Sequence, residues 1–449
     1  MIRFINRKEE LAILNRDWSN QENGFIVVYG RRRIGKTRLL EEFLKNKTCI
    51  RYTAEDVNKK IQINELKAII GRFFSDDYME NQDFSDWSSL FRYLPKVLGD
   101  RRIFLWIDEF SYLIKNDPSI TSVLQKFIDD YLRNSRVFLI VSGSLFGLMR
   151  DKILSSSSPL YGRRTRDILV EGLKAKHLIG SLKMDFEDSL RCYMTIGGIP
   201  EYLLTTLRYE DYDSFIRSEF FNRNGYFYRE PYFLLSQEFR DIKTYFSILA
   251  AISFGSTKPT EIANFIGLRT REIYPYLDML ISYGFIAREQ PFMGQRKSGI
   301  YLIKDTFFDA WYNLIYHNRQ EIEAGNAKID KQSLNRFFGK RFEIFVRSYL
   351  PGLVHGFNNS GHWWHKDQEI DVVATDGKDT VLFGECKWKD NVEPDKIVLE
   401  LQERARKTEF YGSFSIHRYA VFAKSFKSRQ KPESLTLFDL KDMEKRLLQ

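Results

Sequence analysis

Short apolar runs closed by glycine, acid or serine alternate with stretches of helical period along the first third of the chain. Phe25-Ile26-Val27-Val28-Tyr29, bounded by Gly24 and Gly30, is uninterrupted and β-rich, the character of a strand buried on both faces of a parallel sheet. Residues 49–54, 102–108, 136–141 and 167–170 predict four more strands, and Arg38-Leu39-Leu40-Glu41-Glu42-Phe43-Leu44 repeats with the period of a helix. Five strands separated by helical stretches predict a doubly wound α/β sheet.

From Ile242 the pattern changes to three short helices. The first carries Tyr245, Phe246, Ile248 and Leu249; the second is expected to be capped by Thr260 and closed by Gly267; the third starts near Thr270, turns Ile273, Leu277, Leu280 and Ile281 inward, and stops at Gly284. Pro275 costs the third helix a backbone hydrogen bond unless it lies in the first turn, which leaves the start open by several residues. Strands over 285–289 and 300–303 flank a basic turn, completing a winged helix-turn-helix layout. A polar stretch, 320–333, leads to a helix over 334–350. Strands over 369–374 and 381–388 follow, joined by the turn Asp376-Gly377-Lys378-Asp379. The expected division is 1–173, 174–238, 239–320 and 321–449.

Composition adds bounds. The 449 residues, 43% apolar and 15% aromatic, supply cores for several domains. A net charge of +9 permits an acidic partner such as DNA without establishing one. The first residues lack a signal-peptide pattern and no apolar run is long enough for a bilayer, so a cytoplasmic location without a membrane partner is expected. Cys49, Cys192 and Cys386 lack metal-ligand spacing and read as packing residues of a reducing compartment.

The chemistry gathers in three places. Gly30-Arg31-Arg32-Arg33-Ile34-Gly35-Lys36-Thr37 follows the first strand and opens a helix. Its backbone N–H groups can face the phosphates of ATP, Lys36 can reach the β- and γ-phosphates, and the Thr37 hydroxyl can ligate Mg²⁺; Arg38 completes the expected binding segment. Asp108, at the end of a second apolar run, is placed for the magnesium shell, and Glu109 to orient or deprotonate the attacking water. Ser142 or Ser144 can sense the γ-phosphate, or Ser142-Gly143-Ser144 can be turn chemistry alone. In the hairpin module, Arg269, Arg271 and Tyr274 would begin a DNA-recognition helix with Arg296 and Lys297 on phosphates, or the module packs without touching DNA. Near the C-terminus, Glu385 and Lys387 share a strand face that Asp371 on the partner strand can join. Asp371 and Glu385 can hold a hard cation while Lys387 positions water, although an exposed E-x-K pair is common. His362 and His365 read as packing or surface residues.

The opening Phe4-Ile5-Asn6-Arg7-Lys8-Glu9-Glu10-Leu11, the loop at 30–37 and Ser158-Pro159-Leu160-Tyr161-Gly162-Arg163-Arg164-Thr165 resemble the archaeal-type P-loop ATPases of the AAA+/STAND group, over almost the whole chain. The resemblance implies that Arg163 or Arg164 is an arginine finger, often serving a neighbour's site in a homo-oligomer, against the alternative of a solvated basic turn. It also implies that Gly197-Gly198-Ile199-Pro200 marks a small helical lid and that Phe4 and Arg7 lie near the adenine. Trp363-Trp364, Glu369-Ile370-Asp371 and Gly384-Glu385-Cys386-Lys387-Trp388 resemble the PD-(D/E)xK nuclease-like, DUF234-type domain carried by that group, an α/β restriction-endonuclease-like fold. That likeness implies a metal-dependent site of Glu343, Asp371, Glu385 and Lys387, with Gln402 a lesser candidate. Two functions remain in view. One is an ATP-driven machine that presents DNA to a nuclease; the other is an ATP-dependent switch whose last domain binds without cutting. A small-nucleotide kinase is disfavoured, since no acceptor site is recognisable.

Overall fold

The computed structural model describes residues 4–294, 299–328, 330–429 and 435–448, and separates the chain into Met1–Leu173 with Ile199–Glu201, and Lys174–Gly198 with Tyr202–Gln449. In the first unit the apolar runs form β1 (Gly24–Tyr29), β2 (Cys49–Thr53), β3 (Ile103–Asp108), β4 (Val137–Gly143) and β5 (Arg166–Leu169). All pair in parallel, in the order β2-β3-β4-β1-β5. Phe25, Val27, Leu105 and Leu139 enter one core, while Ile26, Val28, Phe104, Trp106, Phe138 and Ile140 enter another on the opposite face. Period-two alternation therefore fills both sides of the sheet, which is why its strands read as unbroken apolar runs. β4 runs beyond Val141: Ser142 pairs with Val28 and Gly143 with Tyr29, so these two residues lie in the strand and not in a turn. Because β4 lies between β1 and β3, the carboxyl ends of these three strands meet where open α/β sheets receive ligands.

In the second unit, helices Ile242–Ser253, Pro259–Ile266 and Thr270–Ser282 precede a hairpin of β6 (Ile286–Glu289) and β7 (Ile300–Ile303). Thr260 is not the cap of its helix. Pro259 takes the first position, and the Glu261 carboxylate accepts from the backbone N–H groups of Thr257 at 2.9 Å and Lys258 at 3.0 Å, satisfying donors that the helix leaves over. Thr270 does open the third helix, so Pro275 lies inside it, beyond the first turn. Ile281, expected inward, is 37% exposed. Arg296 and Lys297 lie outside the described residues.

The C-terminal sheet has five strands: β8 (Asn359–His365), β9 (Gln368–Thr375), β10 (Thr380–Lys387), β11 (Ile416–Ala423) and β12 (Leu435–Phe438). Their order is β12-β11-β10-β9-β8, antiparallel from β8 to β10 and parallel from β10 to β12. The β9–β10 turn is closed by Asp376, which accepts from Lys378 N at 2.8 Å and Thr380 N at 3.1 Å while Gly377 takes a φ of 79°. Val398, Leu401 and Ala405 of helix Pro394–Arg406 join Phe383 and Val421 in the core. The preceding helix, Lys331–Leu353, outruns the expected 334–350 because Asp330 caps it, accepting from Gln332 N at 3.1 Å and Ser333 N at 3.0 Å. Among the described residues no helix is long and apolar enough to cross a membrane.

Candidate functional site

The loop after β1 needs backbone that most residues avoid. Gly35 sits at φ 90° and Arg33 at 65°, and a Cβ on Gly30 would fall 2.5 Å from the Val170 carbonyl oxygen. Buried Lys36 folds back, its ammonium donating to the Gly30 carbonyl at 2.9 Å and the Arg31 carbonyl at 3.0 Å. Neutral carbonyls are weaker partners for that charge than a phosphate oxygen is. Ile34 anchors the loop in the core, and Arg32 donates to the Tyr112 hydroxyl. Arg38 makes a surface pair with Glu41 at 3.5 Å. Pro200 approaches Gly35 from the Gly-Gly-Ile-Pro segment, within 3.8 Å of where a Cβ would stand.

Across from the loop, Asp108 is 2% exposed and fully engaged. Its Oδ2 accepts from the Thr37 hydroxyl at 3.2 Å and from Arg51 at 2.9 Å, and its Oδ1 from the Ser142 hydroxyl at 2.6 Å. Ser142 accepts in turn from the Trp106 indole N–H at 2.8 Å, which makes it a brace behind Asp108. The next residue, Glu109, leaves the strand at φ 52°, a left-handed conformation that costs a non-glycine about 1–2 kcal/mol. Its carboxylate is thereby turned to Ser144, accepting from the hydroxyl at 2.6 Å and the amide at 3.1 Å. The residues present fit magnesium-bound ATP: amides and Lys36 would hold the phosphates, and Thr37 with Asp108 the cation shell, which when bound neutralises charge developing on the phosphates.

Other expected members stand apart from this cluster. Arg163 is held by Asp129 through Nε at 2.9 Å and Nη2 at 2.8 Å, and Arg164 by Asp167 at 2.8 Å. Two further arginines serve this cluster, Arg7, which the resemblance places near the adenine, and Arg51, which the sequence does not single out. Arg7 (φ 74°) donates to the carbonyls of Ile34 at 2.9 Å and Glu171 at 2.7 Å, so it braces the loop. Arg51, lying 4.2 Å from the Trp106 ring centroid, reaches Asp108 from β2. Only strand pairing brings Arg51 there, whereas the left-handed turn at Arg7 gives no signal in a single sequence.

In the second unit the convergent carboxylates are Glu343, Glu369 and Asp371, each offering an oxygen within 4.8 Å of the others. Glu385, the expected second ligand, lies near enough to raise Asp371 and accepts from Lys387 at 2.6 Å and Arg404 at 2.8 Å. Asp371 accepts from the Cys386 amide at 2.8 Å, and Arg347 donates to its carbonyl at 2.7 Å. Burial, then the nearby Asp371 charge, raises the Glu343 carboxyl above its ordinary range; burial, then Glu385, raises Asp371. Lys387 is raised by Glu385 and Asp371 against the opposing effect of its burial. Glu369 was visible in the sequence, two residues from Asp371 on the same strand face; it bonds His362 at 3.1 Å, an interaction that lowers its pKa. Such a set suits a hard divalent cation, with Lys387 alongside. Arg269, Arg271 and Tyr274 are exposed around the start of helix Thr270–Ser282, and the Arg269 amide donates to Glu272 at 3.0 Å.

Two stretches of the chain match known families. Residues 4–206 match the family described as an ATPase domain predominantly from Archaea, and residues 311–404 match DUF234, described as archaeal and bacterial proteins of unknown function. The uncharacterized protein MJECL04 of Methanocaldococcus jannaschii is 34% identical over 98% of this chain and 99% of its own length. The uncharacterized ATP-binding protein MJ0423 of the same organism is 51% identical over 47 residues, 10% of this chain and 80% of that protein. A solved structure, the Walker-type ATPase paby2304 of Pyrococcus abyssi, shares the fold with a TM-score of 0.53 at 21% identity, over 69% of this chain and 96% of that one. The chain therefore belongs to one family with MJECL04 and is an ATPase, its archaeal ATPase domain at residues 4–206 followed by a DUF234 domain at residues 311–404.

Proposed function

We propose that this ATPase couples Mg²⁺-dependent ATP hydrolysis to the binding and metal-dependent cleavage of DNA. Lys36 and the loop amides hold the triphosphate, Thr37 and Asp108 the magnesium shell, and Glu109 the attacking water. Ile199 and Pro200 belong to a lid that responds to the nucleotide. Arg163 or Arg164 completes a neighbour's site in a homo-oligomer, its present carboxylate partner being exchanged for phosphate. The three helices and hairpin of residues 239–320 act as a winged helix that meets DNA through Arg269, Arg271 and Tyr274, in a cytoplasmic protein. The observation that carries the cleavage reading is the convergence of Glu343, Glu369 and Asp371 beside Lys387, since a cation held there would polarise a phosphate while the ammonium steadies the developing charge.

The engagement of Glu385 by Lys387 and Arg404 favours a second reading, an ATP-dependent switch whose C-terminal domain binds nucleic acid without cutting it. One assay pair separates them: ATP turnover, and nicking of single- and double-stranded DNA with Mg²⁺ or Mn²⁺, for wild type, Lys36→Ala and Asp371→Ala. Cutting that disappears with Asp371 while turnover persists supports the nuclease. Absence of cutting with every metal supports the switch.

A further inference from the structure

A cleft of about 400 Å³ lies within the second unit, between the β6–β7 hairpin and helix Lys331–Leu353. One face of that helix lines it: Arg336, Lys340, Glu343 and Arg347 recur at four, three and four residues, a spacing that stacks side chains along one side. Arg336 and Lys340 are exposed. Glu343 and Glu369 open into the cleft from the carboxylate cluster, so cations run along the helix towards a site suited to a divalent ion.

At another margin the lining includes Ser253 and His317. The His317 ring stacks on Phe254 at 4.2 Å with 23° between planes, and Phe254 stacks on Phe265 at 5.8 Å, also at 23°. Burial lowers the His317 pKa, which favours the neutral ring in this stack. Phe254 and Phe265 are 55% and 52% exposed. Two near-parallel phenyl rings left in water beside a groove whose helix wall carries Arg336, Lys340 and Arg347 are a combination by which proteins hold unpaired bases, whose π-faces are open, together with their phosphates. A duplex offers no such faces along its length, its bases being stacked and paired, and 400 Å³ is the volume of a small-molecule pocket.

We propose that this cleft takes single-stranded nucleic acid, an unpaired base stacking on the Phe254–Phe265 platform while the backbone follows Arg336, Lys340 and Arg347 to the Glu343–Glu369–Asp371 cluster. It deepens the proposed function and rests on the metal-dependent reading of that cluster. The platform, by giving unpaired strands an advantage, makes single strands, flaps or unwound ends the substrate class in preference to intact duplex.

The test is fluorescence anisotropy of the full-length protein in EDTA, with labelled oligothymidylate, an RNA strand of matching sequence and a duplex. The single strands are expected to bind at least about tenfold tighter than the duplex. Phe254→Ala combined with Phe265→Ala should remove about tenfold of that affinity, the loss of one stacked base. Phe254→Tyr with Phe265→Tyr should restore it, and melting curves confirm that each variant is folded. Arg336→Gln with Lys340→Gln should flatten the salt dependence by about 1.4 in slope, 0.7 for each phosphate released. Tighter binding of either the DNA or the RNA strand supports the proposal and identifies the sugar. Duplex bound as well as single strand, or affinity unchanged in the folded alanine pair, overturns it. Because EDTA removes the metal chemistry, the two readings fail separately: ring-dependent binding without any cutting removes the nuclease alone, and cutting with ring-independent binding removes the platform alone.

Discussion

Asp108 and Asp371 are both buried carboxylates on sheet strands, yet their surroundings have opposite sign. Asp108 receives four donors, Thr37, Arg51, Ser142 and the Glu109 amide, so the protein itself balances its charge. Asp371 accepts one backbone amide and faces Glu343, Glu369 and Glu385. The first arrangement holds an acid in one orientation beside a loop made for an anion. The second collects negative charge that a buried site sustains through protonation or a bound cation. The difference teaches that a buried acidic residue on a sheet strand is not one kind of site: its neighbours decide whether it orients or ligates.

The sharpest way to break this contrast is Asp371→Asn, which keeps shape and removes a charge. Metal-dependent cutting should fall by about 1000-fold, the several kcal/mol that a cation supplies to a phosphoryl centre, with ATP turnover unchanged; equal loss of both activities would merge the two sites into one. Lys36→Ala should reduce ATP turnover by about 100-fold, as does loss of a preorganised donor elsewhere, and leave cutting of a pre-nicked or single-stranded substrate measurable. Phosphate release and gel assays read both.

Arg404→Ala sharpens the comparison within the second site. Glu385 would keep Lys387 but lose a charged hydrogen bond, at a cost of about 2 kcal/mol seen as a lower melting temperature. An unchanged melt would show that Lys387 alone holds Glu385. The smallest effect concerns pH. Glu343 and Asp371 are raised in the folded state, so the stability they contribute is full below the ordinary carboxylate pKa, about 4, and is lost as pH rises through their raised values. Without divalent cations, stability should decline between about pH 5 and pH 8, at no more than about 1.4 kcal/mol per pH unit for each group, and Mg²⁺ should flatten the slope. Denaturant titration at several pH values, with and without Mg²⁺, measures it; a flat profile in EDTA would contradict the crowding of acids.

What was legible in the sequence was local. The loop at 30–37 and Asp108 announce themselves because strand, glycine positions and chemistry lie within a few residues of one another, and the five parallel strands because burial on both faces leaves no polar interruption. β8 was harder to see, since Asn359-Ser360-Gly361-His362 is polar and the register shifts between Gly361 and Trp363. β12 has only four residues. The pairing of Arg51 with Asp108 across adjacent strands, and of Arg404 on a helix with Glu385 on β10, spans neighbours that only the fold creates, so no spacing rule reaches them. Glu369 is within reach of strand alternation, and Ser142-Gly143-Ser144 reads equally as a γ-phosphate sensor or as a turn because no local signal shows that β4 continues through Ser142 and Gly143.

Calorimetric titration of the intact protein with ATP in the presence of Mg²⁺ addresses the central claim most directly. One saturable site per chain, weakened at least about tenfold by Lys36→Ala in a variant that melts normally, is the predicted result for a loop that replaces two carbonyl partners of Lys36 with phosphate. Heat-silent titration confirmed by absence of competition with a fluorescent ATP analogue, or affinity indifferent to Lys36, would contradict the account.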